Sequence, residues 1–177
     1  MSGNTIKGMI QVYTGDGKGK TTAALGLALR AVGHGRKVIM LQFLKGQDTG
    51  ERISAKQLAP LLTIVPMGRE GFINPANPDP LDKQLARKAL EYAKELIREE
   101  SCDILILDEI NVAVAFDLIP VEDLLEVMAS RPEQMELVLT GRKAHPKVME
   151  KADLVTEMKN IKHYYDQGVP ERLSAER

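Results

Sequence analysis

Apolar and polar positions alternate along the chain in two rhythms. Short apolar runs rich in β-branched residues stand at 9–14 (MIQVYT), 37–44 (KVIMLQFL), 61–67 (LLTIVPM), 103–108 (DILILD), 135–141 (MELVLTG) and 153–158 (DLVTEM). Each reads as a strand. Between them the period lengthens. Residues 20–35 (KTTAALGLALRAVGHG) place Ala and Leu at helical spacing and stop at Gly33 and Gly35. From Pro80 onward Leu85, Ala86, Ala89, Leu90, Ala93, Leu96 and Ile97 repeat on one face, with Lys, Arg and Glu opposite. Residues 120–131 (PVEDLLEVMASR) predict a helix with proline at its first position. Strand alternating with helix predicts an α/β fold, a mostly parallel sheet with helices on both faces. No repeat, linker or low-complexity tract divides it, so residues 1–177 read as a single domain. Two segments stay outside this pattern. Residues 68–80 (GREGFINPANPDP) form a long Gly/Pro/Asn-rich loop of the kind that is functional or disordered, and the tail from His163 is polar.

Composition narrows the class. The hydrophobic share of 44% and charged share of 28% fit a globular protein with an ordinary core. A net charge of −1 gives no bulk attraction to nucleic acid or to an anionic membrane. Aromatics are only 4% and Trp is absent, which argues against a stacking groove for single strands. No run approaches the ~20 apolar residues of a membrane span. The opening residues lack the apolar core of a signal peptide, and Cys102 is the one cysteine. Both point to the cytoplasm and to no internal disulfide. Cys102 itself reads as a small buried hydrophobe at a strand start.

The candidate chemistry begins at 13–22, YTGDGKGKTT. A phosphate-binding loop has the pattern G-x-x-x-x-G-K-[ST]; Gly19, Lys20 and Thr21 supply its second half, but Thr14 stands where its first glycine belongs. The order strand, Gly-rich turn, helix start is what such a loop needs. Gly15, Gly17 and Gly19 permit close backbone approach to an anion, and successive N–H groups can point inward at the positive end of a helix. Lys20 would reach over the phosphates and Thr21 would place its hydroxyl on Mg²⁺. The run ILILDE (104–109) is an apolar strand ending in acids. Such an acid either caps a following helix or holds Mg²⁺, directly or through water. Asp108 is the metal candidate, with Glu109 beside it. In parallel sheets ligands gather at the carboxyl ends of the strands, where both segments fall.

The stretch TGDGKGKTTAALGLALRAVGHGRKVIMLQFLKG (14–46) closely resembles the start of the ATP:cob(I)alamin and cob(I)yrinic acid a,c-diamide adenosyltransferases. Further matches follow in family order: GREGF (68–72), LDEIN (107–111), TGR (140–142) and KHYYDQGV (162–169). Thr14 is the family's own residue at that place, so the loop is a family variant. The resemblance implies a RecA-like P-loop fold, usually a homodimer, with ATP and a reduced corrinoid as substrates and Mg²⁺ as cofactor. It implies that Co(I) attacks the 5′ carbon of the ribose and that triphosphate leaves, in the biosynthesis or salvage of adenosylcobalamin. A flavoprotein is the candidate reductant. ATP would lie reversed in the loop. Gly15, Asp16, Gly17, Lys18, Gly19, Lys20, Thr21 and Thr22 would bind the triphosphate, and Lys18 and Lys20 would offset its growing charge. Thr21, Asp108 and Glu109 would form the metal site; Co(I) carries no proton, so no general base is needed. Phe72 would press under the corrin, although the family's Trp two residues later is Asn74 here.

Other residues are less specific. Arg142 follows a strand and either contacts the nucleotide or lies on the surface. His145 either lines the corrinoid site or caps a helix, the cap being favoured, and His163 has no derivable role. No Asp-x-His-x-x-Gly signature occurs, so the corrinoid reads as a passing substrate. Two alternatives stay in view: a P-loop ATPase or kinase, which would release ADP, and a nucleotide-responsive binding module without turnover.

Overall fold

The computed structural model describes residues 7–71, 73–74, 77–170 and 172. Its centre is a sheet of β1 (Ile10–Thr14), β2 (Val38–Gln42), β3 (Leu62–Pro66), β4 (Ile104–Asp108), β5 (Glu136–Thr140) and β6 (Leu154–Glu157). The strand order is β3-β2-β4-β5-β1-β6. Every pairing is parallel. The α/β expectation is met, and each predicted strand lies within its predicted run.

Alternate residues along the strands enter two separate cores. Ile10 and Val12, Ile39 and Leu41, Leu105 and Leu107, Leu137 and Leu139 face the larger one. Three helices complete it: α3 (Pro80–Arg98), α5 (Val121–Ser130) and α6 (Pro146–Lys151), joined by the short α4 (Ile110–Ala115). Tyr13, Val38, Met40, Ile106 and Val138 face the other side, against α1 (Lys20–Gly33). There Ala24, Ala28 and Ala31 allow the helix to lie close to the sheet. A sheet buried on both faces explains why its strands read as continuous apolar runs.

Three short helices had no predicted range, α2 (Gly50–Ala55), α4 and α6, the last implied only by reading His145 as a cap. Each has six residues, too few for a helical period to emerge from the sequence. The helix foreseen at 120 begins at Val121, with Pro120 as its N-cap. α3 begins at Pro80 as expected, and the carboxylate of Asp79 accepts a hydrogen bond from Leu81 N at 2.8 Å.

Candidate active site

Six parallel strands end on one edge of the sheet, and the loops that leave them build the site. The loop 15–19 follows β1 and delivers the chain into α1. Gly15 and Gly19 have φ of +95° and +120°, the left-handed region that favours glycine. Gly17 is needed for a different reason. A Cβ there would lie 2.7 Å from the backbone of Met158 and Lys159, and its N–H donates to Met158 O at 2.7 Å. The segment after β6 therefore forms one wall of the loop. Thr14 is 7% exposed, and its Oγ1 accepts from Ala144 N at 3.1 Å. The residue that replaces the first glycine thus ties the loop to the segment after β5.

Lys20 opens α1 and folds back across the loop. Its ammonium donates to Gly15 O at 2.8 Å and Gly17 O at 2.6 Å. Burial lowers its pKa below the ordinary lysine range; Arg142 acts the same way, while Glu109, Asp16 and Asp108 oppose it. Asp16, Lys18 and Thr22 are exposed.

Asp108 is the centre of the second group. It ends β4 and is fully buried. Its Oδ1 accepts from Thr21 Oγ1 at 2.9 Å and from Thr140 Oγ1 at 2.6 Å. Its Oδ2 pairs with Lys45 Nζ at 2.7 Å. Thr21 and Asp108, 87 positions apart, are therefore in direct contact. Glu109 follows with φ of +63° at the N-terminus of α4, and its N–H donates to Thr140 Oγ1 at 3.0 Å. Burial and the neighbouring Asp108 raise the Glu109 pKa, against Lys45, Lys20 and Arg142. Arg142 is exposed, near enough to Lys20 and Glu109 to act through its charge.

The donor set fits a hard divalent cation: one buried carboxylate, one threonine hydroxyl and a second acid adjacent in the chain. No cluster of three or more His, Cys, Asp or Glu side chains able to hold a metal occurs among the described residues. Mg²⁺ takes one or two carboxylates from a protein and the rest from water and substrate phosphates, and Asp108 with Glu109 would supply them.

Lys45 was missed by sequence reasoning. It lies within QFLKG (42–46), but the run reads as a strand end, and nothing local marks this lysine as the partner of an acid 63 positions away. Burial would lower its pKa, but Asp108 and Glu109 outweigh that and hold it above the ordinary range. Its backbone is fixed by two interlocked loops. A Cβ on Gly68 would lie 2.4 Å from Leu44 C and Lys45 N, and one on Gly46 would lie 2.4 Å from Arg69 C. Gly68 N donates to Lys45 O at 3.0 Å. The same segment is anchored at Arg69, whose guanidinium meets the buried Asp82 of α3 at 2.6 and 3.0 Å. Gln42 and Asn111 were missed in the same way. Each is buried, with its amide oxygen unpartnered among the described residues.

His145 is a helix cap, its Nδ1 accepting from Lys147 N at 3.2 Å at the start of α6. His163 caps the short helical turn Tyr164–Gln167 in the same manner, at 3.1 Å from Tyr165 N. Cys102 is buried just before β4. Asn74 is exposed, and Ile73 packs against the larger core. Phe72 lies outside the described residues.

The family model for ATP:corrinoid adenosyltransferase BtuR/CobO/CobP matches residues 6–176. The corrinoid adenosyltransferase of Escherichia coli (strain K12) is 39% identical over 168 residues, covering 94% of this chain and 84% of that protein. That of a Sinorhizobium species is 40% identical over 173 residues, covering 96% and 80%. Corrinoid adenosyltransferase CobA of Salmonella typhimurium is 35% identical over 168 residues, covering 94% and 84%. Among solved structures, a KaiC-like protein from Pyrococcus horikoshii OT3 superposes with a TM-score of 0.57 over 88% of this chain and 74% of its own. At 14% identity that likeness speaks for the fold alone.

Proposed function

The chain belongs to the family of ATP:corrinoid adenosyltransferases, and from that premise we propose how its site carries out adenosyl transfer. The Co(I) of a reduced corrinoid attacks C5′ of ATP. A cobalt–carbon bond forms, the C5′–O5′ bond breaks, and the bonding pair leaves on triphosphate. The protein's task is to bind both substrates in line and to stabilise the charge that collects on the leaving group.

The observation that carries the assignment of residues is the convergence of Lys20, Thr21, Asp108 and Lys45 at the end of β1 and β4. Gly15 to Thr22 would cradle the triphosphate through backbone N–H groups at the N-terminus of α1. Lys20 would exchange its bonds to the Gly15 and Gly17 carbonyls for phosphate oxygens, and Lys18 would approach from the exposed side. Thr21 and Asp108 would hold Mg²⁺, with Glu109 beside them and Arg142 near the nucleotide. Bound there, the ion would add positive charge along the triphosphate. Residues 68–80 would receive the corrinoid, with Phe72 beneath it. The same reading includes a homodimer, a flavoprotein reductant and a cytoplasmic location. No described helix is long and apolar enough to cross a membrane.

Anaerobic incubation with ATP, Mg²⁺ and chemically reduced cob(I)alamin tests this. The adenosylcobalamin spectrum should appear together with an equal amount of triphosphate. Release of ADP with no spectral change would make the protein an ATPase or kinase instead. ATP binding with no product of either kind would leave a binding module.

A further inference from the structure

Lys45 places an ammonium on the oxygens of the proposed metal site. Its Nζ is 2.7 Å from Asp108 Oδ2 and 3.4 Å from Thr21 Oγ1. The two partners differ in freedom. The Asp108 side chain is fully buried, whereas that of Lys45 is 29% exposed. Asp108 is also held on its other oxygen by Thr21 and Thr140. The carboxylate is fixed and the lysine is the member that can leave. A buried carboxylate without a cation is costly, so one positive charge must stand there. Two cations cannot share it cheaply, because at ~3–4 Å in a poorly screened site they repel each other strongly.

We propose that Lys45 is a built-in competitor of the divalent cation for Asp108 and Thr21, so that the cation enters together with the triphosphate rather than alone. A free cation must displace an ammonium already paired in the interior. A cation carried on a polyphosphate brings new acceptors for the displaced ammonium. The backbone favours this exchange. Leu44 has φ of +62°, and Lys45 O accepts from Gly68 N, so the main chain is pinned and the side chain alone moves. The freed ammonium stays within a side chain's length of the phosphates and adds its charge to those of Lys18 and Lys20. The proposal rests on reading Thr21 and Asp108 as metal ligands.

Mn²⁺ binding to the nucleotide-free protein, followed by electron paramagnetic resonance, tests it without turnover. Lys45→Met should bind one Mn²⁺ per chain at least about tenfold more tightly than wild type, the loss of a competing unit charge. Lys45→Arg should bind like wild type, and adding Asp108→Asn to Lys45→Met should remove the gain. Should Lys45→Met fold poorly, Lys45→Gln keeps a donor to Asp108 without the charge and is read the same way. Equal Mn²⁺ affinity in the uncharged variant and wild type overturns the competition, as does a gain that survives Asp108→Asn. The Mg²⁺ dependence of ATP binding by Asp108→Asn separates the two levels. If it overlays wild type, the metal-ligand reading fails. If it shifts while Lys45→Met gains nothing, only the competition fails.

Discussion

Lys20 shows how one side chain can serve two partners. Its ammonium satisfies two loop carbonyls at 2.8 and 2.6 Å, and in the proposed function an entering phosphate would take it over. We predict that Lys20→Ala abolishes measurable ATP binding by calorimetry. The loss of charged hydrogen bonds should lower stability by only ~1–3 kcal/mol, so the fold survives. Binding equal to wild type would sink the phosphate-loop assignment. Cys102 is a contrasting case. Burial raises its thiol to about 11 from an ordinary 9.0. The unfolded chain therefore loses the thiol proton first as pH rises. The contribution of this group to stability is whole below about pH 9 and is lost between about 9 and 11. At pH 8 a disulfide reagent should react with Cys102 slowly in the native protein and fast in denaturant. Fast native labelling would contradict its burial. Denaturant unfolding at pH 8 and pH 10.5 should show a larger loss for wild type than for Cys102→Ala.

At the scale of elements, the loops after β2 and β3 behave as one unit. Gly46 and Gly68 leave no room for a side chain between them, and the Arg69–Asp82 pair fastens the unit to the first turn of α3. This unit carries Lys45, the partner of Asp108, and the start of the segment proposed to receive the corrinoid. Asp82→Asn weakens the fastening without touching the phosphate loop. It should raise the KM for corrinoid and leave the Kd for ATP unchanged. A parallel rise in both would mean that the Arg69–Asp82 pair supports the whole site rather than the corrinoid side alone.

At the scale of the molecule, the sheet is covered unevenly. β6 is an edge strand whose four residues are all exposed, with Leu154 44% and Val155 43% accessible. Edge strands of this kind are places where another chain can pack. The expected homodimer predicts a sedimentation mass of twice the 19.6 kDa of the chain at micromolar concentration. A monomer throughout the range used for activity would remove the dimer from the proposal.

The sequence by itself determined the strands and the long helices, because a parallel sheet buried on both faces leaves continuous apolar runs and α3 carries a full amphipathic period. It also made the proposed phosphate loop legible, since strand, glycines, lysine and threonine are contiguous and their chemistry is local. Only the tertiary structure decided which distant side chains meet. The contact of Thr21 and Thr140 with Asp108, and the pairing of Lys45 with the same carboxylate, depend on strand order β2-β4-β5-β1. No spacing in the chain encodes that order. The short helices α2, α4 and α6 were hidden for a related reason: at six residues each is held by the sheet it packs on, not by a period of its own. Thr14 joins the two levels. Its place in the loop was legible, but the reason for a hydroxyl there lies in Ala144, 130 positions away, whose N–H it receives.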